Sequence, residues 1–314
     1  MLQRLRELKD QVLLGVSGIP RHGLGSIDVS NECNLRCEHC YFFEQDWKNE
    51  WPLARWQEKF EELRANGFPF LQCTFVGGEP LLRPELIDLG RRYFKKCWVV
   101  TNGTIPIPAW KNVTWYVSVD GTKPYCEALR GKGIYERIKK HADRSDINIR
   151  TATVVTKTNH ECLEELVAEW YQTRVQGMVF DFYTPIAGLD EELWPGFELR
   201  DRIIDRLLLL KKRYGDFLMT SSRVFELMRS GRTKDVTDNC RFAAKAFAFS
   251  PTGEMKEKCM LGPKADCDRC GCVVPFFLYH IDTRGALLTE STRLLRQGLR
   301  RKLGLRRRPV PATA

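Results

Sequence analysis

Six segments rich in β-branched and aromatic residues punctuate the first 190 positions: GSIDVS at 25–30, FLQCTFV at 70–76, CWVVT at 97–101, TWYVSV at 114–119, INIRTATVV at 147–155 and MVFDFYT at 178–184. Helical periodicities lie between several of them, as in Trp56, Phe60 and Leu63 before Gly67, in Leu86, Leu89 and Tyr93, and in Leu163, Leu166, Val167 and Trp170 after Asn159. Alternating strands and helices force parallel pairing with helices on the outside, either as a doubly wound sheet or as a full or partial barrel. Periodicity does not choose between these. After residue 190 the pattern turns helical, with Ile203, Ile204, Leu207 and Leu210 in one stripe and Val224, Phe225 and Leu227 in another.

Four short motifs follow directly on expected strands: Cys33 to Cys40, Gly77 to Pro80, Thr101 to Thr104, and Asp120 with Gly121. In barrels and open α/β sheets this C-terminal edge is where sites are built. With 314 residues, 43% of them apolar, the chain has enough material for a sizeable core. No apolar run is long enough to span a bilayer, and MLQRLRELKD lacks the apolar core of a signal peptide, so a cytoplasmic location is expected. In that reducing compartment twelve cysteines point to metal ligation rather than to disulfides. Cys73 and Cys97 sit inside strand-like runs and read as small core hydrophobes.

The stretch CNLRCEHCY places Cys33, Cys37 and Cys40 within eight residues. A closed zinc site or an ordinary cubane takes four protein ligands, so three thiolates leave one coordination position for chemistry. A structural zinc completed by His39 is the competing reading, since zinc accepts three sulfurs and one nitrogen.

CNLRCEHCYF, a CxxxCxxC motif, together with Gly77, Gly78, Glu79 and Pro80 after the next strand, resembles the radical S-adenosylmethionine superfamily over roughly residues 22–190. The resemblance implies a partial (β/α)6 TIM-like barrel with a C-terminal cysteine-rich extension. It also implies that Cys33, Cys37 and Cys40 hold three irons of a 4Fe-4S cluster, while S-adenosylmethionine takes the fourth through its amino and carboxylate groups. The expected reaction is reductive cleavage to a 5'-deoxyadenosyl radical that attacks an organic substrate. Within this pattern Gly77 and Gly78 allow backbone approach to the methionine moiety and Glu79 accepts from its amino group. His39 would lie against the adenine, with Asn102, Ser118 and Asp120 in the loops that hold ribose and carboxylate. Asn102-Gly103 and Asp120-Gly121 are also ordinary turn formers. Arg130 and Gly131 resemble the family too, and Arg150 falls on a barrel-facing position; either arginine could equally be solvated.

A second group, Cys240, Cys259, Cys267, Cys270 and Cys272, resembles the SPASM or twitch regions that bind auxiliary clusters, but no cysteine follows Cys272 as a complete SPASM set would require. Four ligands are therefore expected for one centre, with Cys240, Cys259, Cys267 and Cys270 preferred and Cys272 spare. A closed zinc site fits four thiolates equally well. The domain plan is an N-terminal helical segment 1–21, a core 22–190, a helical linker 191–235, an auxiliary metal region 236–283 and a basic tail 284–314.

Net charge is +10, yet eight basic and no acidic residues lie in 291–314, leaving +2 for the other 290. A basic surface suited to nucleic acid is thus disfavoured, as is an RNA-modifying enzyme. Leu2, Leu5, Leu8 and Val12 form one terminal stripe, and Leu294, Leu295, Leu299 and Leu303 another among arginines, which suits peripheral contact with a membrane. A solvated tail competes with that. A peptide, sugar or lipid substrate remains open, a flavodoxin or ferredoxin is the expected reducing partner, and the alternative from another class is a non-catalytic metal or electron-transfer module.

Overall fold

The computed structural model describes residues 19–45, 47–110, 112–187 and 191–282. Their strands, β1 (Leu24–Asp28), β2 (Gln72–Val76), β3 (Lys96–Thr101), β4 (Val113–Ser118), β5 (Asn148–Val155), β6 (Met178–Phe182) and β7 (Ala246–Phe249), form one sheet in the order β6-β5-β4-β3-β2-β1-β7. Every neighbouring pair is parallel. The sheet curls into a partial barrel, as expected, but with seven strands instead of six. The extra strand, AFAF, pairs its Ala246 with Leu24 and its Ala248 with Ser26 of β1.

Helices α1 (Leu53–Ala65), α2 (Pro84–Gly90), α3 (Lys123–Arg130), α4 (Tyr135–Ala142) and α5 (Leu163–Tyr171) lie between the strands. Then come α6 (Gly196–Tyr214), α7 (Ser222–Leu227), α8 (Ser230–Asp238), α9 (Phe242–Lys245) and α10 (Val273–Ile281). The apolar stripes read from sequence are the buried faces: Trp56 and Phe60 in α1, Leu163, Leu166, Val167 and Trp170 in α5, and Ile203, Ile204, Leu207 and Leu210 in α6.

Side chains alternate across the sheet with a period of two. Val99, Trp115, Ile149 and Phe180 are fully buried in the core shared with the helices. Their neighbours Trp98, Val100, Arg150 and Asp181 are half-buried on the opposite, concave face. The helix α10 bridges the open side of the barrel. At one end the Val273 N–H donates to Asp181 of β6 (2.6 Å), and at the other Leu278 and Ile281 pack with Ala246 and Ala248 of β7. Among the described residues no helix is long and apolar enough to cross a membrane. The two terminal stripes, including the basic tail, lie outside the described residues.

Phe247 ties β7 to the core, its ring 5.1 Å from Phe68, 5.9 Å from Phe94 and 5.3 Å from Phe249. Phe247→Ala is expected to cost about 3–5 kcal/mol, whereas Leu209→Ala, at a 63% exposed position, should cost under about 0.5 kcal/mol. Urea unfolding midpoints read both; equally small shifts would show that β7 lies outside the cooperative unit.

Candidate functional site

The cysteine loop leaves the end of β1, the Gly77-Gly78-Glu79-Pro80 turn leaves β2, the Thr101–Thr104 loop leaves β3, and Asp120 with Gly121 leaves β4. Backbone contacts lock the first two together: the Gly78 N–H donates to the Ser30 carbonyl (2.9 Å) and the Glu79 N–H to the Glu32 carbonyl (2.8 Å). A Cβ on Gly78 would stand 1.8 Å from the Glu32 carbonyl oxygen, and Gly77 has φ of 103°. These two glycines therefore have a nearer reason than approach to a cosubstrate. Only without side chains can the turn seat itself beneath the cysteine loop.

Glu79 has no solvent exposure. Its Oε1 accepts from the Leu81 N–H (3.0 Å) and the Thr101 hydroxyl (2.7 Å), and its Oε2 from the Asn102 N–H (2.7 Å). Burial raises its carboxyl, opposed by these hydrogen bonds. A carboxylate offers about four lone-pair sites, so one acceptor direction remains after three donors.

Asn102 carries this order to the cysteines. Its amide nitrogen donates to Asn34 Oδ1 (2.8 Å) and lies 3.8 Å from Cys33 Sγ, while its amide oxygen accepts from the Thr104 N–H (2.9 Å) and hydroxyl (2.7 Å). Asn34 Nδ2 in turn donates to Thr104 Oγ1 (2.8 Å). The Leu35 N–H also points at Cys33 Sγ (3.4 Å).

On the other flank, Asp120 is fully buried and accepts from Arg130 Nε (2.6 Å), His39 Nε2 (2.9 Å) and the Val154 N–H (2.7 Å). Burial would raise its carboxyl, but Arg130 and then His39 outweigh that and hold it well below the ordinary carboxylate range. Arg130 Nη1 also lies 3.9 Å from Cys37 Sγ. Of the residues singled out from sequence, His39 is thus anchored on Asp120 and Arg130 is buried rather than solvated. Ser118 sits at the end of β4 on the concave face, 9% exposed.

Cys33, Cys37 and Cys40 have their thiols raised by burial, Cys37 to about 11 despite the opposing Arg130. Among the described residues no three His, Cys, Asp or Glu side chains already converge on a single-ion site. The residues nonetheless fit a bound iron-sulfur group: half-buried thiolates are stabilised by a cationic centre, and N–H donors already face Cys33 and Cys37.

The C-terminal cysteines are neighbours in space. Cys259 lies within electrostatic reach of Cys240, Cys267, Cys270 and Cys272. Burial pushes the Tyr41 phenol well up, and the nearby Asp28, Cys40, Cys272 and Cys259 add to that rise. Gly271 lets the Cys270–Cys272 segment lie against β6: a Cβ there would be 2.1 Å from the Phe182 carbonyl oxygen, whose own residue donates its N–H to the Gly271 carbonyl (2.9 Å).

Arg200 was concealed in sequence as one more charged position of an amphipathic helix. It is fully buried, donates from Nη1 to the Cys270 carbonyl (2.8 Å), and leaves Nε and Nη2 without partners. The rings of Phe182, Phe276 and Phe197 surround it at 5.0, 5.6 and 6.0 Å, and burial pulls its guanidinium down to about 10. A guanidinium so placed needs a counter-charge. A metal centre ligated by several thiolates beside Cys270 would supply it, whether the metal is iron or zinc.

Residues 27–169, just under half of the chain, match the domain model described as the Radical SAM superfamily. The Pre-heme d1 synthase of Dinoroseobacter shibae is 30% identical over 156 residues, 45% of this chain and 38% of that protein. The antilisterial bacteriocin subtilosin biosynthesis protein AlbA of Bacillus subtilis is 31% identical over 91 residues, 28% of this chain and 19% of its own length. Homologues of the domain are thus enzymes. The chain spans well under half of these curated relatives. Native anSMEcpe with bound AdoMet and Kp18Cys peptide shares the fold, with a TM-score of 0.59 at 16% identity over 90% of this chain and 84% of that one.

One further contact pins the C-terminal segment to the barrel: Lys256 forms a buried ion pair with Asp28 and donates to the Met260 carbonyl (2.9 Å). Burial raises the Asp28 carboxyl to about 6, against the pull of Lys256. Lys256→Met alone, which strands the Asp28 charge, should cost about 3–5 kcal/mol at pH 8, and Asp28→Asn with Lys256→Met should recover most of it. Denaturant titration of the two variants checks this; a double variant no more stable than the single would show that the charges are uncoupled.

Proposed function

We propose that the chain is a radical S-adenosylmethionine enzyme whose cluster sits on Cys33, Cys37 and Cys40. The observation that carries this reading is the cysteine loop seated on the Gly77–Pro80 turn and donor-lined by Asn102 and Arg130. Held by Cys33, Cys37 and Cys40, a 4Fe-4S cluster would supply the one-electron reduction that splits S-adenosylmethionine into methionine and a 5'-deoxyadenosyl radical. The chain's own groups bind and orient. Glu79 holds the β3 loop and keeps one acceptor direction for an amino group, and Ser118 and Asp120 flank the position for ribose and carboxylate. His39 and Arg130 keep Asp120 ionised at neutral pH, since its folded carboxyl titrates only below the ordinary range.

The substrate is a peptide or a cofactor precursor, by similarity to the peptide-bound anSMEcpe and to a protein that makes pre-heme d1. Residues 22–190 serve as the cosubstrate-binding core. The region 236–283 contributes β7 to the sheet and holds a second metal centre on Cys240, Cys259, Cys267 and Cys270, balanced by Arg200. A small reducing protein such as flavodoxin or ferredoxin delivers the electron.

Anaerobically reconstituted protein should form 5'-deoxyadenosine slowly after reduction, even without substrate, as chromatography would detect. The variant with Cys33, Cys37 and Cys40 all replaced by alanine should form none. Fully loaded wild type that yields none under any reductant would favour a non-catalytic module.

Iron counting addresses the second centre. Wild type should hold about eight irons if both groups bind cubanes, and the triple alanine variant about four. Zinc with almost no iron in that variant would assign a closed zinc site to the C-terminal group. Full metal retention in both the Cys267 and Cys270 single variants would remove that pair from the ligand set.

A further inference from the structure

The concave wall below the site carries a cation that no carboxylate of the described residues balances. Arg150, the third residue of β5, is in register with Tyr116 of β4. Its Nη1 donates to the Tyr116 phenol oxygen (2.6 Å), and its guanidinium carbon lies 5.5 Å from the centre of the Tyr116 ring. That ring packs on Trp98 at 5.6 Å. The guanidinium is thus fixed by a hydrogen bond and a stacking contact before any ligand arrives.

One edge of it is left over. The Nε–H is buried and has no partner, and Nη2 takes none among the described residues. The other acids of this face are already engaged: Asp28 with Lys256, Asp120 with His39 and Arg130, and Asp181 as acceptor of the Val273 N–H. Trp98, Val100, Arg150 and Ala152 are all half-buried, while Val99, Trp115 and Ile149 on the opposite face have no exposure. This wall of the barrel lumen is therefore partly open to solvent at β3 and β5. Val154, whose N–H donates to Asp120 (2.7 Å), lies four residues further along β5. At ~3.3 Å per residue this puts Arg150 about 13 Å below the level of the cosubstrate groups.

We propose that the Nε and Nη2 edge of Arg150 receives a carboxylate of the substrate, which reaches down the lumen while its reacting carbon stays near the cysteine loop. This rests on the reading of the lumen as the substrate chamber. A planar carboxylate matches the side-on edge with two parallel N–H donors. A phosphate dianion would meet only one cation here, and the aromatic walls of Tyr116 and Trp98 suit a flat group. Peptide side chains or termini and carboxylated cofactor precursors both offer such a group, so Arg150 selects among substrates by charge.

Ligand-observed NMR titration of the reconstituted full-length protein tests this without turnover, using benzoate, benzamide and phenyl phosphate as probes. Wild type should bind benzoate about tenfold more tightly than benzamide, and Arg150→Gln should lose about tenfold for benzoate while holding benzamide as wild type does. Tyr116→Phe, which frees Nη1, should weaken benzoate by a smaller factor. Benzoate bound equally by wild type and Arg150→Gln overturns the proposal, and so does tighter binding of phenyl phosphate than of benzoate. If wild type forms no 5'-deoxyadenosine but still discriminates benzoate through Arg150, the radical reading fails and the anion subsite stands.

Discussion

The buried Glu79 carboxylate is the constraint on which the site depends. A carboxylate out of water is costly unless its oxygens are met by donors, and here Leu81, Thr101 and Asn102 meet them. Each hydrogen bond to a charged group contributes about 1.5–3 kcal/mol, so together they hold the ends of β2 and β3 in one arrangement. Asn102 then fixes Asn34, and Asn34 fixes the start of the cysteine loop. The order at Cys33 is thus relayed from Glu79 through Asn102 and Asn34.

The barrel interior divides into a filled side and an open side. Near β1 and β7 the Lys256 and Asp28 pair and the apolar face of α10 occupy the space, tying the C-terminal cysteines to the strand that also launches the cysteine loop. Along β3 and β5 the wall stays half-exposed at Trp98 and Arg150, with the buried Tyr116 of β4 between them. The cysteine loop and the proposed anion subsite at Arg150 therefore belong to different strands of one sheet, β1 and β5.

Six strands, the outer helices and the cysteine and Gly-Gly-Glu-Pro motifs were legible because each is a local pattern. The seventh strand was not: it follows FAAK directly, and alanine, phenylalanine and lysine in that run read as helix. Pairing with β1 and the packing of Phe247 and Phe249 override that preference. Long-range polar pairs were equally hidden. Asp28 looked like one acid in a strand and Lys256 like one base in GEMKEKC, and no local period links them. Gly78 was legible as essential but for an incomplete reason, since the carbonyl of Glu32 that excludes a side chain is supplied by another loop. Arg200 and Arg150 could be ranked only once their unpartnered nitrogens were seen.

The central claim is that Cys33, Cys37 and Cys40 leave one iron open for the cosubstrate. Electron–nuclear double resonance of the reduced protein tests it, with S-adenosylmethionine carrying ¹⁵N in its amino group or ¹⁷O in its carboxylate. Direct coupling of both nuclei to the cluster is the result predicted. A reduced cluster that binds the labelled cosubstrate with neither coupling would contradict it.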